Sequence, residues 1–236
     1  PKPQNPFFDF KFIIINSNLN SHFSSIMNNE ISVSYPSKTP PFKIAGKPIK
    51  IGESKSDITA LAYDPEGKCI AVGEFDGSVK LFSPVSGKLQ LTLNASNKEG
   101  QEQTPITCIR WKPNKIGTNI RASVIICALT SDGQIFHWHL GTNKLINENK
   151  EHKDSGNNLY CADYTCDGRK MIVGGSDRNL YVYDESNRTL ECVLNSRDEK
   201  ISGHQNRIYS IKCHPDDPNI FVSAGWDGTL KIYDIK

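Results

Sequence analysis

Apolar and polar positions along this chain alternate in short bursts, without the wider stripe that a helix requires. Four bursts of one kind recur: ITALAY from Ile58, ITCIRW from Ile106, LYCADY from Leu159 and IYSIKC from Ile208. Each reads as a half-buried strand. Behind each comes a turn rich in Pro, Gly or Asp, as in DPEGK from Asp64, KPNK from Lys112, CDGRK from Cys166 and HPDDPN from His214. A nearly unbroken apolar run follows, CIAVG from Cys69, VIICAL from Val124, MIVGG from Met171 and IFVSAG from Ile220, as expected of strands covered on both faces. Next come tight turns built on Asp76, Asp132, Asp177 and Asp227, where Asp precedes Gly or a polar residue suited to a short hairpin. Third strands start at Val79, Ile135, Leu180 and Leu230, and fourth, outer strands at Lys88, Lys144 and Thr189.

The turn aspartates at 76, 132, 177 and 227, with surplus length confined to polar loops, set a unit of roughly 40–45 residues and four strands. That combination predicts an all-β fold, a β-propeller of four-stranded antiparallel blades over residues 57–94, 104–148, 158–195 and 203–236. Residues 1–41 hold little alternation and much Asn, Ser and Pro, so they read as a poorly ordered tail. The first methionine is Met27, and two alternatives stand: it is the natural start, making residues 1–26 non-native, or the preceding residues belong to the protein.

The fourth copy, residues 203–236, carries a Gly-His pair, a Ser in its second strand, the Asp turn and a closing Tyr-Asp. In these features it resembles a WD repeat. The other three copies keep the strands and the Asp turn but end on Phe82-Ser83, Trp138-His139 and Tyr183-Asp184, so they read as divergent blades of the same kind. The resemblance implies a buried hydrogen-bond chain through His204, Ser223, Asp227 and Tyr233, in which Tyr233 replaces an indole donor by a hydroxyl in a different place. It also implies a seven-bladed ring, of which about four blades are visible, so the chain is expected to be part of a longer protein. An N-terminal strand within residues 42–56, at 47–51, is the expected closing strand; without a partner, the strand from Leu230 to Ile235 has no outer neighbour. Closure by further chain, by a partner protein or as a small four-bladed ring are the alternatives.

Composition narrows the chemistry. With 28 basic and 26 acidic residues and a formal charge of +2, no segment interleaves cations with aromatics as a nucleic-acid groove would. The seven cysteines are odd in number and include no C-x-x-C, so neither a disulfide framework nor zinc is expected; six of them lie in apolar runs as small hydrophobes. The apolar stretch at Phe12, Ile13, Ile14 and Ile15 is far shorter than the roughly 18 residues of a membrane span. These features point to a reducing compartment, cytoplasm or nucleus, and the resemblance, read as a scaffold, implies a cytoskeletal or ciliary setting within the former.

No phosphate loop, no G-x-S-x-G elbow and no H-E-x-x-H occurs, so no catalysis, cofactor, metal or small-molecule substrate is expected. His137 and His139 share one face of a strand and read as polar residues on an exposed blade surface. The recurrence of the turn aspartates is explained by turn geometry, since a residue demanded by every blade marks a backbone need. The resemblance implies docking on the face that bears these turns, where Phe75, Ser131, Ser176 and Trp226 precede the aspartates. Trp226 is the strongest candidate anchor and Arg207 a weaker one, with packing within the blade and a solvated charge as their plainer readings. The expected function is a protein-protein interaction scaffold with several partners in one complex. The alternative is a substrate receptor of a cullin-RING ubiquitin ligase, because residues 221–236, FVSAGWDGTLKIYDIK, fit the box associated with adaptor binding in that class.

Overall fold

Each repeated burst folds into the sheet that its pattern requires. The computed structural model describes residues 11–14, 50–51, 53–94, 104–113, 124–195 and 203–236. The chain divides into two compact units, residues 1–15 with 51–236 and residues 16–50, and all the sheets belong to the first. The first blade comprises β2 (Ile58–Tyr63), β3 (Ile70–Glu74), β4 (Ser78–Phe82) and β5 (Leu89–Asn94). The second comprises β6 (Ile106–Trp111), β7 (Ile125–Thr130), β8 (Ile135–His139) and β9 (Lys144–Asn149). The third holds β10 (Leu159–Tyr164), β11 (Lys170–Gly175), β12 (Leu180–Asp184) and β13 (Thr189–Leu194), and the fourth β14 (Ile208–Cys213), β15 (Ile220–Gly225) and β16 (Thr229–Asp234). Consecutive strands pair antiparallel within each blade. The helix α1 is a single turn, Glu151–Asp154.

The outer edge of β16 is occupied. Lys11–Ile14 forms β1 and pairs parallel with it, Phe12 opposite Leu230 and Ile14 opposite Ile232. A strand edge presents unpaired N–H and C=O groups that any extended segment can satisfy. Four residues of the expected unstructured tail therefore form a strand, and the expected vacancy beside Leu230 is filled. Of the expected closing strand, residues 47–49 lie outside the described residues, and Lys50 and Ile51 are not in a strand. The remainder of the tail also lies outside them.

The core sits between blades. Ala71, Val79 and Leu81 of the first blade pack against Ile106, Ile109 and Trp111 of the second. The same arrangement joins Cys127, Leu129 and Ile135 to Leu159, Ala162 and Tyr164, and Ile172, Leu180 and Val182 to Ile208 and Ile211. Volumes interlock across these seams. A Cβ on Gly73 would lie 2.5 Å from Ile106 Cγ2 and 3.1 Å from Ile109 Cδ1, and one on Gly174 would lie 3.0 Å from Ile208 Cγ2 and 3.1 Å from Ile211 Cδ1. In the middle seam the sizes are exchanged: Leu129 takes the glycine position and Ala162 the isoleucine position.

The equivalent row on the first blade has no such cover. Ile58, Leu61 and Tyr63 are 63%, 64% and 60% exposed, whereas Ile106 and Ile109 are 0% and 1%. The apolar side chains on the leading face of the first blade are therefore exposed. Among the described residues no helix is long and apolar enough to cross a membrane.

Candidate functional site

The tight turns explain their own aspartates. Asp76 Oδ1 accepts from the Ser78 N–H at 2.9 Å, Asp177 Oδ1 from Asn179 N–H at 3.1 Å and Asp227 Oδ1 from Thr229 N–H at 3.0 Å. Asp132 instead accepts from the Thr130 hydroxyl at 2.5 Å and the Gln134 amide at 2.8 Å, and pairs with Lys153 at 2.8 Å. The next residue has a left-handed backbone in every case, Gly77 at φ 84°, Gly133 at 90°, Gly228 at 70° and Arg178 at 73°. Glycine adopts that conformation without a Cβ penalty; Arg178 does not.

In the fourth blade the structure brings His204, Ser223 and Asp227 together. His204 Nδ1 lies 2.9 Å from Asp227 Oδ2, and Nε2 lies 2.6 Å from Ser223 Oγ. An ionised carboxylate only accepts, so Nδ1 carries the proton and Nε2 accepts from the serine hydroxyl. The same carboxylate accepts the Gln205 N–H at 2.8 Å, fixing the loop that leads into β14. Burial depresses the His204 pKa against the opposing pull of Asp227. Burial alone would raise Asp227, but Thr229, Gln205 and His204 together hold it below the usual carboxylate range. Tyr233 is buried and stacked on Phe221 at 4.9 Å; its hydroxyl faces Ser223, which opposes the upward push of burial on the phenol, but the two do not meet in a hydrogen bond of regular geometry.

A second buried imidazole escapes sequence reasoning. His152, on α1, places Nε2 2.6 Å from the Tyr183 hydroxyl, while the Asn157 amide faces Nδ1 at 3.4 Å. Asn157 Oδ1 accepts from Ser176 and Asp177 N–H, which turns its NH2 toward the ring. Nδ1 therefore accepts and Nε2 donates to Tyr183, the reverse of the His204 tautomer. The available signal was a His shortly before an inner strand, but an inserted helical turn displaces it from the Gly-His spacing.

His137 also departs from expectation. It is not on an exposed surface but 2% exposed between the second and third blades, with Nε2 3.4 Å from Glu185 Oε1; Lys112 reaches the other oxygen at 3.2 Å. Burial would raise Glu185, yet His137 and Lys112 outweigh it and keep the carboxyl below its ordinary value. A buried glutamate without such partners would be costly, and the second blade supplies both of them. Cys192, expected as a core thiol, is exposed on the outer strand β13.

The docking candidates separate by exposure. Trp226 is 65% exposed and Phe75 48%, while Ser131 is half-buried and Ser176 spends its hydroxyl on Asn157 at 3.1 Å. The guanidinium of Arg207 lies 5.9 Å from the Trp226 ring centroid, and Tyr209 lies against that ring at 4.7 Å with its plane tilted by 33°. Trp226 and Arg207 thus form one patch, and Phe75, Ser131 and Ser176 occupy the corresponding turns of the other blades. Among the described residues no group of His, Cys, Asp and Glu is arranged to hold a metal ion.

Comparison with known proteins agrees with this geometry. The model for the anaphase-promoting complex subunit 4 WD40 domain matches residues 42–114, and the model for the WD domain, G-beta repeat, matches 143–184 and 196–234. Periodic tryptophan protein 2 homolog of Dictyostelium discoideum is 25% identical over 76% of this chain and 17% of its own length. Dynein axonemal intermediate chain 4 of Danio rerio is 20% identical over 79% of this chain and 25% of its own. DDB1- and CUL4-associated factor 5 of Homo sapiens is 27% identical over 44% and 10% respectively. The chain thus spans a quarter or less of each of these relatives.

Proposed function

The chain belongs to the WD-repeat family, and from that premise we propose that it is a non-catalytic scaffold holding several partner proteins in one assembly. The observation that carries this reading is Trp226, an indole left 65% exposed on the turn face of the fourth blade. A large aromatic ring in solvent is costly, and such rings anchor interfaces. The buried histidines support the same reading, because His204 and His152 are spent on holding loops to blades. No cofactor, metal, nucleic acid, membrane or small-molecule substrate enters this scheme. The uncovered row of Ile58, Leu61 and Tyr63 supports a further blade on that side. A cytoplasmic setting on cytoskeletal or ciliary structures is supported by the similarity to an axonemal dynein chain; a nuclear setting is the alternative.

The test is affinity purification of the native protein with mass spectrometry of its companions, repeated with Trp226→Ala. Stable companions lost from the variant, with unchanged melting, support the scaffold; a protein that purifies alone overturns it. A second reading, a substrate receptor of a cullin-RING ubiquitin ligase, is favoured by the similarity to DDB1- and CUL4-associated factor 5 and by the box at residues 221–236. It requires a cullin adaptor among the companions and loss of that adaptor on Lys236→Glu.

A further inference from the structure

Each blade has a leading face, turned toward the blade before it, and a trailing face, turned toward the blade after it. The three seams between described blades join a trailing to a leading face by the same two devices. One is a matched pair of sizes: Gly73 against Ile109, Leu129 against Ala162 and Gly174 against Ile211. The other is a hydroxyl or thiol that donates across the seam to an inner-strand carbonyl. Thr59 reaches the Ile106 carbonyl at 2.6 Å, Cys108 that of Ala162 at 3.9 Å and Cys161 that of Ile208 at 3.6 Å.

Two faces adjoin no described blade, the leading face of the first and the trailing face of the fourth. On the former, Leu61 stands at the place of Ile109 and Ile211 and is 64% exposed. On the latter, Ala224 stands at the place of Gly73, Leu129 and Gly174, and Ser210 pairs with it as Cys108 pairs with Leu129 and Cys161 with Gly174. Ser210 is exposed and its neighbours Val222, Leu230 and Ile232 are half-buried, whereas Ile172, Leu180 and Val182 of the third blade are at most 1% exposed. The two faces complement each other. Ala224 against Leu61 repeats the pair of the middle seam, Leu129 against Ala162, with the sides exchanged and the volume unchanged. Ser210 offers the donor that Cys161 offers, and the Ile58 carbonyl stands where that of Ile208 accepts it. With Leu61 left in solvent, the two faces do not meet within one molecule.

We propose that a second copy of this chain covers both faces, the fourth blade of each copy docking on the first blade of the other. Ala224 then packs on the partner's Leu61, and the Ser210 hydroxyl donates to the partner's Ile58 carbonyl. Two such head-to-tail contacts related by a two-fold axis close on themselves, so every blade has a neighbour on each side. The inference goes beyond the scaffold reading, since it makes the platform a dimer without assigning its companions.

The test is sedimentation of the full 236-residue chain across a range of concentrations. A dimer is expected, with a dissociation constant on the order of micromolar, and a folded monomer in dilute solution. Leu61→Ala and Ala224→Leu should each weaken the dimer at least about tenfold, the first by opening a void and the second by adding volume. Leu129 already holds the equivalent place in the second blade, so the strand accepts a leucine at 224, and melting in dilute solution checks that both variants stay folded. The double variant Leu61→Ala with Ala224→Leu copies the middle seam and is expected to bind within about threefold of the parent. Ser210→Ala should weaken the dimer by about threefold. A chain that is monomeric at every concentration, open polymers in place of a closed dimer, or losses that add in the double variant overturn the proposal. A native protein that is monomeric because further blades of its own cover Leu61 overturns it as well. If the dimer fails while native companions are retained, the second copy falls and the scaffold stands.

Discussion

The seam between the second and third blades is packed in the opposite sense from the two seams beside it. In the outer seams a glycine, Gly73 or Gly174, receives an isoleucine, Ile109 or Ile211; in the middle seam Leu129 meets Ala162. What the repeats preserve is therefore the volume of each seam, not the residue at each position, because a close-packed interior tolerates an exchange of sizes and not a surplus or a void. The fourth member of the row, Leu61, has the same apolar character and no seam to fill. Stability in a stack of blades should accordingly follow the seams between nearest neighbours.

The largest effect should come from forcing the middle seam's pattern onto an outer one. Gly174→Leu is expected to cost about 3 kcal/mol or more, since its Cβ alone would meet Ile208 Cγ2 at 3.0 Å. Adding Ile211→Ala should recover at least about 1 kcal/mol, a coupling that a double-mutant cycle in urea would measure. Ile211→Ala alone should cost about 2–4 kcal/mol and Leu61→Ala less than about 0.5. Additive losses at 174 and 211 would mean that the seams are not matched by volume.

This comparison also marks where the sequence was legible. Strand order and the Asp turns follow from local alternation and turn chemistry, and the meeting of His204 with Asp227 and Ser223 follows from their places within a single repeat. The rest depends on partners from different blades. His137 meets Glu185, and Asp163 meets Arg110 and Lys212, only because neighbouring blades are rotated into register, and nothing near those residues in the chain announces it. The stacking of Tyr160 of the third blade on Tyr209 of the fourth has the same origin. Lys11–Ile14 has too few residues to show a period, so its pairing with β16 left no pattern to read.

The loops that lead into the third and fourth blades are pinned differently as well, and breaking their pins is the next largest test. His204→Ala leaves Ser223 and Asp227 without their buried partner and should cost about 1–3 kcal/mol. His152→Ala should cost less, because Asn157 still accepts from the Ser176 and Asp177 N–H groups and holds the turn. Thermal or urea melting of the two variants side by side checks the order. A His152→Ala loss equal to the His204→Ala loss would show that Asn157 alone does not hold the third blade.

Acid should separate the same two blades from the carboxylate pairs. Burial lowers the folded pKa of both His204 and His152, so the unfolded chain binds the proton more readily. Their contribution is complete above the ordinary histidine value near 6.5 and is lost as pH falls through the depressed folded values. Asp227 and Glu185 are lowered too, so their contribution persists above the ordinary carboxylate range and disappears only in stronger acid. Melting temperature against pH should thus fall in two stages. His204→Gln should flatten the first stage and leave the Glu185 part of the second; an unchanged first stage would remove His204 from it.

The smallest effect concerns the one tight turn that departs from glycine. Arg178 adopts φ 73° where Gly77, Gly133 and Gly228 stand in the other blades. A left-handed backbone costs an ordinary residue about 1–2 kcal/mol, while glycine brings extra entropy to the unfolded chain, so Arg178→Gly should raise stability by about 0.5 kcal/mol. Gly228→Arg in the fourth blade should lower it by a similar amount, since its Cβ would meet nothing within 4 Å and only the backbone term acts. Opposite and nearly equal shifts in the urea midpoint at constant slope would establish that the two turns differ by backbone preference alone. A loss on Arg178→Gly would instead show that the arginine side chain contributes contacts worth more than its strained backbone costs.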